Sequence, residues 1–241
     1  VFKNRTVKGD FIWSQKQLQT NESVIARDTE NGRFYEVSPN VFYPSITTVL
    51  SDSVDLSEWI ERVGVAESNR IKNTAAARGT QMHDLLERYI SNKEINLNAE
   101  MPSIKTSFTG AKSTLDKINH VKFQETALWS NALGVAGRVD LVANYEDIPS
   151  IIDFKTSGKP KKKEYIENYF CQATAYSLMV EERFGYKTKQ IVIMILVDGV
   201  TEPQVFIENP DDYIVVLKKK IKNFGEKNNG ASKLSSTKMV L

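Results

Sequence analysis

Apolar positions along this chain recur at two periods, and the switch between them marks its elements. Alternation with a period of two runs through Val121, Phe123, Glu125, Ala127 and Trp129, and again through Val139, Leu141 and Ala143, which predicts strands with one buried face. The unbroken apolar run at 191–197 predicts a strand buried on both faces, and 203–207 offers a shorter one. Helical spacing gathers Met82, Leu85, Leu86, Tyr89 and Ile90 on one stripe within 78–90. A second stripe of Ile166, Tyr169, Phe170, Ala173, Tyr176 and Val180 predicts a helix over 164–184. Further helices are expected over 102–118 and from Asn209 to Phe224, with polar 91–100 as a loop and 226–241 as a disordered tail.

Local signals place the junctions. Asn31-Gly32, between Ser23-Val24-Ile25-Ala26 and Arg33-Phe34-Tyr35-Glu36-Val37, favours a tight hairpin. Pro44 and Ser45 open a helix, and Asp55-Leu56-Ser57-Glu58 resembles a capping box opening a longer helical segment, with Trp59, Ile60 and Val63 on its apolar face and Arg62, Arg70 and Lys72 on its polar side. Asp147-Ile148-Pro149-Ser150 reads as the turn between strands ending at Ala143 and beginning at Ile151. No repeat or compositional break divides the chain. The expected organisation is a β-rich lead-in over 1–42, one α/β domain over 43–225, and the tail.

Composition changes this picture in three places. A net charge of +2 means that any nucleic-acid partner is held by local basic groups rather than by the field of the whole molecule. The single Cys171 excludes an internal disulfide and a cysteine metal cluster, and its place in an amphipathic run predicts a buried, reduced thiol. The longest apolar run is too short to span a bilayer, so no membrane partner is expected. Compact length and the reduced thiol point to the cytoplasm of a bacterium or a virus-infected cell. A mitochondrial address stays open, because the chain begins with Val and a leader could precede it.

Candidate chemistry concentrates in 134–156. If the two strands there are antiparallel neighbours, Asp140 and Asp153 come within a few ångströms, with Lys155 two residues on and facing the same way. Adjacent carboxylates repel unless a cation neutralises them, and a hard divalent ion on carboxylate oxygens suits phosphate chemistry. Glu125 falls among apolar neighbours and needs a partner, for which this site is one option. His83 and Glu87 are one helical turn apart, so the carboxylate could orient the imidazole. Gln172 and Tyr176 repeat that spacing and need partners inside the fold. The basic loop Ser157-Gly158-Lys159-Pro160-Lys161-Lys162-Lys163 follows directly and could neutralise backbone phosphates, although such a loop is commonly only solvated surface.

Taken in order, Gly79-Thr80-x-x-His83, Gly137-x-x-Asp140, Asp153-x-Lys155-Thr156 and Gln172-x-x-x-Tyr176 resemble the PD-(D/E)xK nuclease superfamily in its RecB-type exonuclease branch. The leading part of the motif is varied, with Val139-Asp140 in place of Pro-Asp. Tyr43-Pro44-Ser45-Ile46-Thr47 and Asp153-Phe154-Lys155-Thr156-Ser157 make the sequence similar to the mitochondrial genome maintenance exonuclease family and its phage-like relatives, over most of 43–224.

The resemblance implies a restriction-endonuclease-like core, a mixed β-sheet flanked by helices in αβββαβ order, with the hairpin ahead of it. It implies that His83, Asp140, Asp153 and the Phe154 backbone carbonyl hold one or two Mg²⁺ or Mn²⁺ ions. Lys155 would position or activate the attacking water, with Gln172 and Tyr176 orienting the lysine, water or strand. Residues expected to face substrate are Ser45, Thr47 and Arg78, with Thr156, Ser157, Lys159 and Lys161 beyond the lysine. The implied activity is exonucleolytic cleavage of DNA in replication, repair or recombination, preferring single-stranded ends, with the strand threaded under helices from 55–118. Iron–sulfur branches of the superfamily are excluded by the cysteine count. A structure-specific endonuclease on the same core and a non-catalytic nucleic-acid-binding module are the alternatives.

Overall fold

The computed structural model describes residues 6–14 and 24–237, with side chains described to residue 228. Ser23, in the expected first hairpin strand, and 238–241 of the expected tail lie outside these residues. At its centre is a five-stranded sheet in the order β10-β9-β8-β7-β6, formed by β6 (Ile118–Ser130), β7 (Val135–Tyr145), β8 (Ile148–Ser157), β9 (Gln190–Val197) and β10 (Gln204–Glu208). β8 and β9 are parallel and the other pairs antiparallel, so the sheet is mixed as expected. The parallel pair is joined by α5 (Glu167–Phe184), since parallel neighbours require a crossover. With α3 (Val65–Ile90) ahead of the three antiparallel strands, the elements follow the αβββαβ order.

Helices cover both faces. α3 and α4 (Pro102–Leu115) pack on one through Leu85, Leu86, Tyr89, Phe108 and Leu115. α5, α1 (Ile46–Ser51) and α6 (Ile214–Thr237) pack on the other through Ile46, Phe170, Met179 and Leu217. β9 serves both layers: Val192, Met194 and Leu196 enter the first core and Ile191, Ile193, Ile195 and Val197 the second. Its continuous hydrophobicity has that cause.

Ahead of the core, β2 (Ile25–Thr29), β3 (Gly32–Ser38) and β4 (Val41–Pro44) form a separate antiparallel sheet. The expected hairpin is present with its tip at Glu30-Asn31, while Gly32 (φ 106°) already pairs with Thr29. A side chain on Gly32 would meet Thr48 of α1 at 2.4 Å, so glycine permits that close approach. β4 is an addition to the sequence reading, turned by Asn40 at φ 63°. Tyr35 and Val37 pack on Trp129 and Ala136 of the large sheet, which ties this lead-in to the main core.

Several expectations are corrected. The β7–β8 turn is the two-residue Glu146-Asp147, both at positive φ as a tight hairpin requires, and Pro149 lies within β8 opposite Asn144. The 78–90 helix is the inner half of the longer α3, preceded by α2 (Ser57–Val63). Asp55 accepts from the Ser57 backbone N–H at 2.8 Å, but the helix starts at Ser57 without the reciprocal bond of a capping box. The loop at 91–100 contains β5 (Ile95–Asn96), paired with β1 (Thr6–Val7). β6 begins at Ile118 and its faces do not simply alternate: Val121 joins one core and Phe123 the other, with His120 and Glu125 at positive φ. α6 continues past Phe224 to Thr237 in place of a disordered tail, and Lys227 reaches Asp52 at 2.7 Å.

Candidate active site

The site forms where two strands part. β7 and β8 pair from Tyr145↔Ile148 up to Leu141↔Ile152, and the next opposed residues are Asp140 and Asp153. On the other side, β6 pairs with β7 at Gln124↔Leu141 and Thr126↔Val139 but not at the intervening Glu125 and Asp140. Side-chain alternation inverts at that gap. Val139 packs toward α5, whereas Leu141 and Ala143 pack toward α3 and α4, so the face expected to hold all three is divided. At this interruption of the β6–β7 ladder, Asp140 and Glu125 both line the cleft.

That cleft has a volume of about 220 Å³ and is lined by Ser45, Thr47, His83, Asp140, Lys155, Gln172 and Tyr176, all anticipated from sequence, and by Glu125. Arg33, Tyr35 and Arg138 also line it. Sequence reading missed these three: an arginine or tyrosine in an alternating strand carries no signal of what it faces. His83 reaches in from α3, its Nδ1 3.8 Å from a carboxylate oxygen of Glu125 and 3.8 Å from one of Asp140. The carboxylates facing it are therefore these two rather than Glu87 on its own helix. Gln124 ties α3 to β6 below it, donating to the Glu87 carbonyl at 3.2 Å and accepting from Ser91.

Asp153 is buried and fully engaged by its neighbours. Gln172 of α5 donates to its Oδ1 at 3.0 Å, and the Lys155 ammonium pairs with its buried Oδ2. The Phe154 backbone N–H donates to Asp140 Oδ2 at 2.8 Å, fixing one carboxylate to the strand that carries the other. Lys155 also lies over the Tyr169 ring, 5.2 Å from its centre. Tyr176 closes the floor against Gly137, where a Cβ would sit 2.8 Å from its hydroxyl, so the glycine of Gly137-x-x-Asp140 makes room for the phenol.

The electrostatics follow from this crowding. Burial, then the charge of Asp153, push the Asp140 carboxyl up to about 7. Burial pulls His83 down, but Glu125 and Asp140 outweigh it and leave the imidazole raised. Burial likewise opposes the Lys155 charge, and Asp153 and Asp140 reverse it, so the ammonium is held protonated. Burial keeps the Tyr176 phenol neutral.

The other residues expected at the substrate lie elsewhere. Arg78 pairs with Asp198 at 2.5 Å. Thr156 faces Gly79 of α3, and the Ser157 hydroxyl donates to the Lys159 carbonyl at 2.6 Å, folding the loop on itself. Lys159 and Lys161 are exposed, and the Lys161 backbone is held by Gln204. Cys171 is buried as expected, its thiol pushed up to about 11 by burial.

A cation fits this donor set. His83, Glu125 and Asp140 each offer a ligand atom, all within 4.8 Å of one another, and two carboxylates with an imidazole suit a divalent ion.

A sequence model of the PD-(D/E)XK nuclease superfamily matches residues 59–212, which include all of these elements from α3 to α5 and β9. The chain belongs to this superfamily. The chain is 26% identical to the human mitochondrial genome maintenance exonuclease 1 over 147 residues, 55% of this chain and 42% of that protein. The mouse protein of that name is 30% identical over 131 residues, 49% of this chain and 38% of its own length. The Xenopus tropicalis protein is 29% identical over 137 residues, 53% and 39%. The chain thus spans about two fifths of the length of these relatives. Among the described residues, no helix is long and apolar enough to cross a membrane.

Proposed function

We propose that this PD-(D/E)XK nuclease hydrolyses phosphodiester bonds of DNA from strand ends, with a preference for single strands and a requirement for Mg²⁺ or Mn²⁺. The observation that carries the reading is the convergence of His83, Asp140, Asp153 and Lys155 where β7 and β8 part. Such a gap leaves carboxylates free to bind an ion beside a lysine that can hold a water. His83, Asp140, Asp153 and the Phe154 carbonyl would hold the metal, with Glu125 beside them. A divalent ion supplies a lowered pKa for the attacking water and neutralises charge building on the phosphate. Lys155 orients that water and Gln172 holds Asp153 in place for it. Ser45 and Thr47, whose hydroxyls bond each other where Ser45 caps α1, would lie beside the strand. The water oxygen bonds to phosphorus as the bridging P–O bond breaks, and the departing oxygen takes a proton.

The single-strand preference is supported by one feature. α2 and residues 65–77 of α3 are largely exposed, a helical projection along which a strand could pass. The relatives' names tie them to maintenance of the mitochondrial genome, and the role we propose here is likewise in DNA replication, repair or recombination. The deciding experiment is digestion of end-labelled linear single strands against closed single-stranded circles, with Mg²⁺, Mn²⁺ or EDTA. Linear strands should be degraded only with metal, and Asp153→Ala or Lys155→Ala should slow cutting at least 100-fold, the scale lost with acid–base or electrostatic groups. Efficient cutting of circles makes the enzyme an endonuclease. Binding without cutting by the unaltered protein leaves only a binding module.

A further inference from the structure

Two guanidinium groups line the cleft outside the set assigned to cutting. Arg138 lies on β7 two residues before Asp140, and Arg33 lies on β3 of the smaller sheet. The Arg138 side chain is 59% exposed, and its contact with Glu125 is 4.0 Å, too long for a hydrogen bond. Glu125 itself faces His83, so Arg138 is only loosely engaged.

Arg33 is placed by its backbone. Its N–H donates to the Thr48 hydroxyl at 3.0 Å, and its carbonyl accepts from the Ser45 N–H at 2.8 Å. β3 is thereby fastened to the segment that brings Ser45 and Thr47 to the same cleft. The Arg33 side chain rests on Asp28 at 2.7 and 3.0 Å, a pair open to solvent on both sides. Water screens a pair this exposed, so a phosphate in the cleft competes with Asp28 for the Arg33 fork.

The charge balance shows what that anion is. Glu125, Asp140 and Asp153 surround a site whose one lysine is already paired with Asp153. A nucleic-acid strand adds a negative charge at every phosphate. A metal ion offsets the phosphate being cut but leaves its neighbours against the carboxylates. Arginine forks match phosphate oxygens in geometry as well as charge.

The geometry points to a backbone-phosphate subsite formed by Arg138 and Arg33, holding a phosphate next to the one that is cut. This makes the amino-terminal sheet part of the substrate channel. The inference rests on the nuclease reading and deepens it.

The test is binding of a fluorescein-labelled oligodeoxythymidine in EDTA, where no cutting intervenes, by anisotropy across a KCl series. Arg138→Gln and Arg33→Gln should each weaken binding about ten-fold, as loss of a charged hydrogen bond does. Each should lower the slope of log K against log [KCl] by about 0.7, and the double variant by about twice that. Arg138→Lys should keep the slope while losing affinity, because it keeps the charge and loses the fork. Lys219→Gln on α6 should match the unaltered protein. Wild-type affinity and slope in both glutamine variants would overturn the subsite, as would an equal loss in Lys219→Gln. If the unaltered protein binds the strand and never cuts it with metal, the nuclease reading fails while the subsite is judged by the slopes alone.

Discussion

Burial and the neighbouring Asp153 place the Asp140 carboxyl at about 7, far above its value of about 3.9 in an unfolded chain. The folded protein therefore binds a proton that the unfolded chain has released. The resulting stability is fully present below pH 4 and is lost as pH rises through about 7, a change on the order of a few kcal/mol. His83, also raised, adds in the same direction. In EDTA, the melting temperature should fall between pH 5 and 8. Asp140→Asn should remove most of that slope and melt several degrees higher than wild type at pH 8, while abolishing cutting; equal melting temperatures at both pH values in the unaltered protein would refute this. Gly137 poses a steric question of the same scale. Alanine there would place its Cβ 2.8 Å from Tyr176 and 3.2 Å from Ile46, so Gly137→Ala should destabilise by about 1–3 kcal/mol, read from denaturant midpoints at constant m.

Among the elements, α3 is one helix with two environments. Met82, Leu85, Leu86, Tyr89 and Ile90 are buried in the core, but of residues 65–77 only Ser68 is buried. The outer half begins at Gly64, whose φ of 84° with ψ 150° suits glycine and sets the angle between α2 and α3. Few buried contacts mean low local stability. Amide exchange should be at least ten-fold faster over 65–77 than over 82–90, and a bound oligonucleotide should slow the outer half selectively; uniform exchange along α3 would contradict this division. The same helix shows what sequence can and cannot convey. Its apolar stripe at 82–90 was legible because burial imposes a period. The outer half follows only from the helical segment expected after Asp55, with Arg70 and Lys72 on its polar side, because a solvated helix needs no stripe. In the sheet, β9 and the Asp140–Asp153 opposition were legible for the same reason of pattern. The gap that exposes Asp140 was not: it depends on Glu125 at φ 46°, a conformation that a glutamate does not advertise.

At the scale of the molecule, the candidate cation site joins separate layers. His83 comes from the α3 layer, Glu125 and Asp140 come from the sheet, and Gln172 beneath Asp153 comes from the α5 layer. The lead-in sheet reaches the same cleft through Arg33 and Tyr35, so a division at 42 separates no function. This assembly was only partly readable, since residues far apart in the chain meet here through tertiary packing. An ion bound at the junction ligates groups that unfolding would scatter, so it stabilises the folded state by mass action, about 2.7 kcal/mol at 100 times its Kd. It also competes with protons, because Asp140 must ionise and His83 must be neutral to serve as ligands. At pH 8 the metal-free protein has lost its protonation-linked stability while its ligands are ready. At pH 5.5 the reverse holds. Added Mn²⁺ should therefore raise the melting temperature several degrees at pH 8 and much less at pH 5.5, flattening the pH profile seen in EDTA. His83→Ala should weaken the Mn²⁺ response and Asp140→Asn should nearly abolish it, by calorimetry as well as by melting. An equal Mn²⁺ shift at both pH values, or one that survives in both variants, would place the ion elsewhere on the protein.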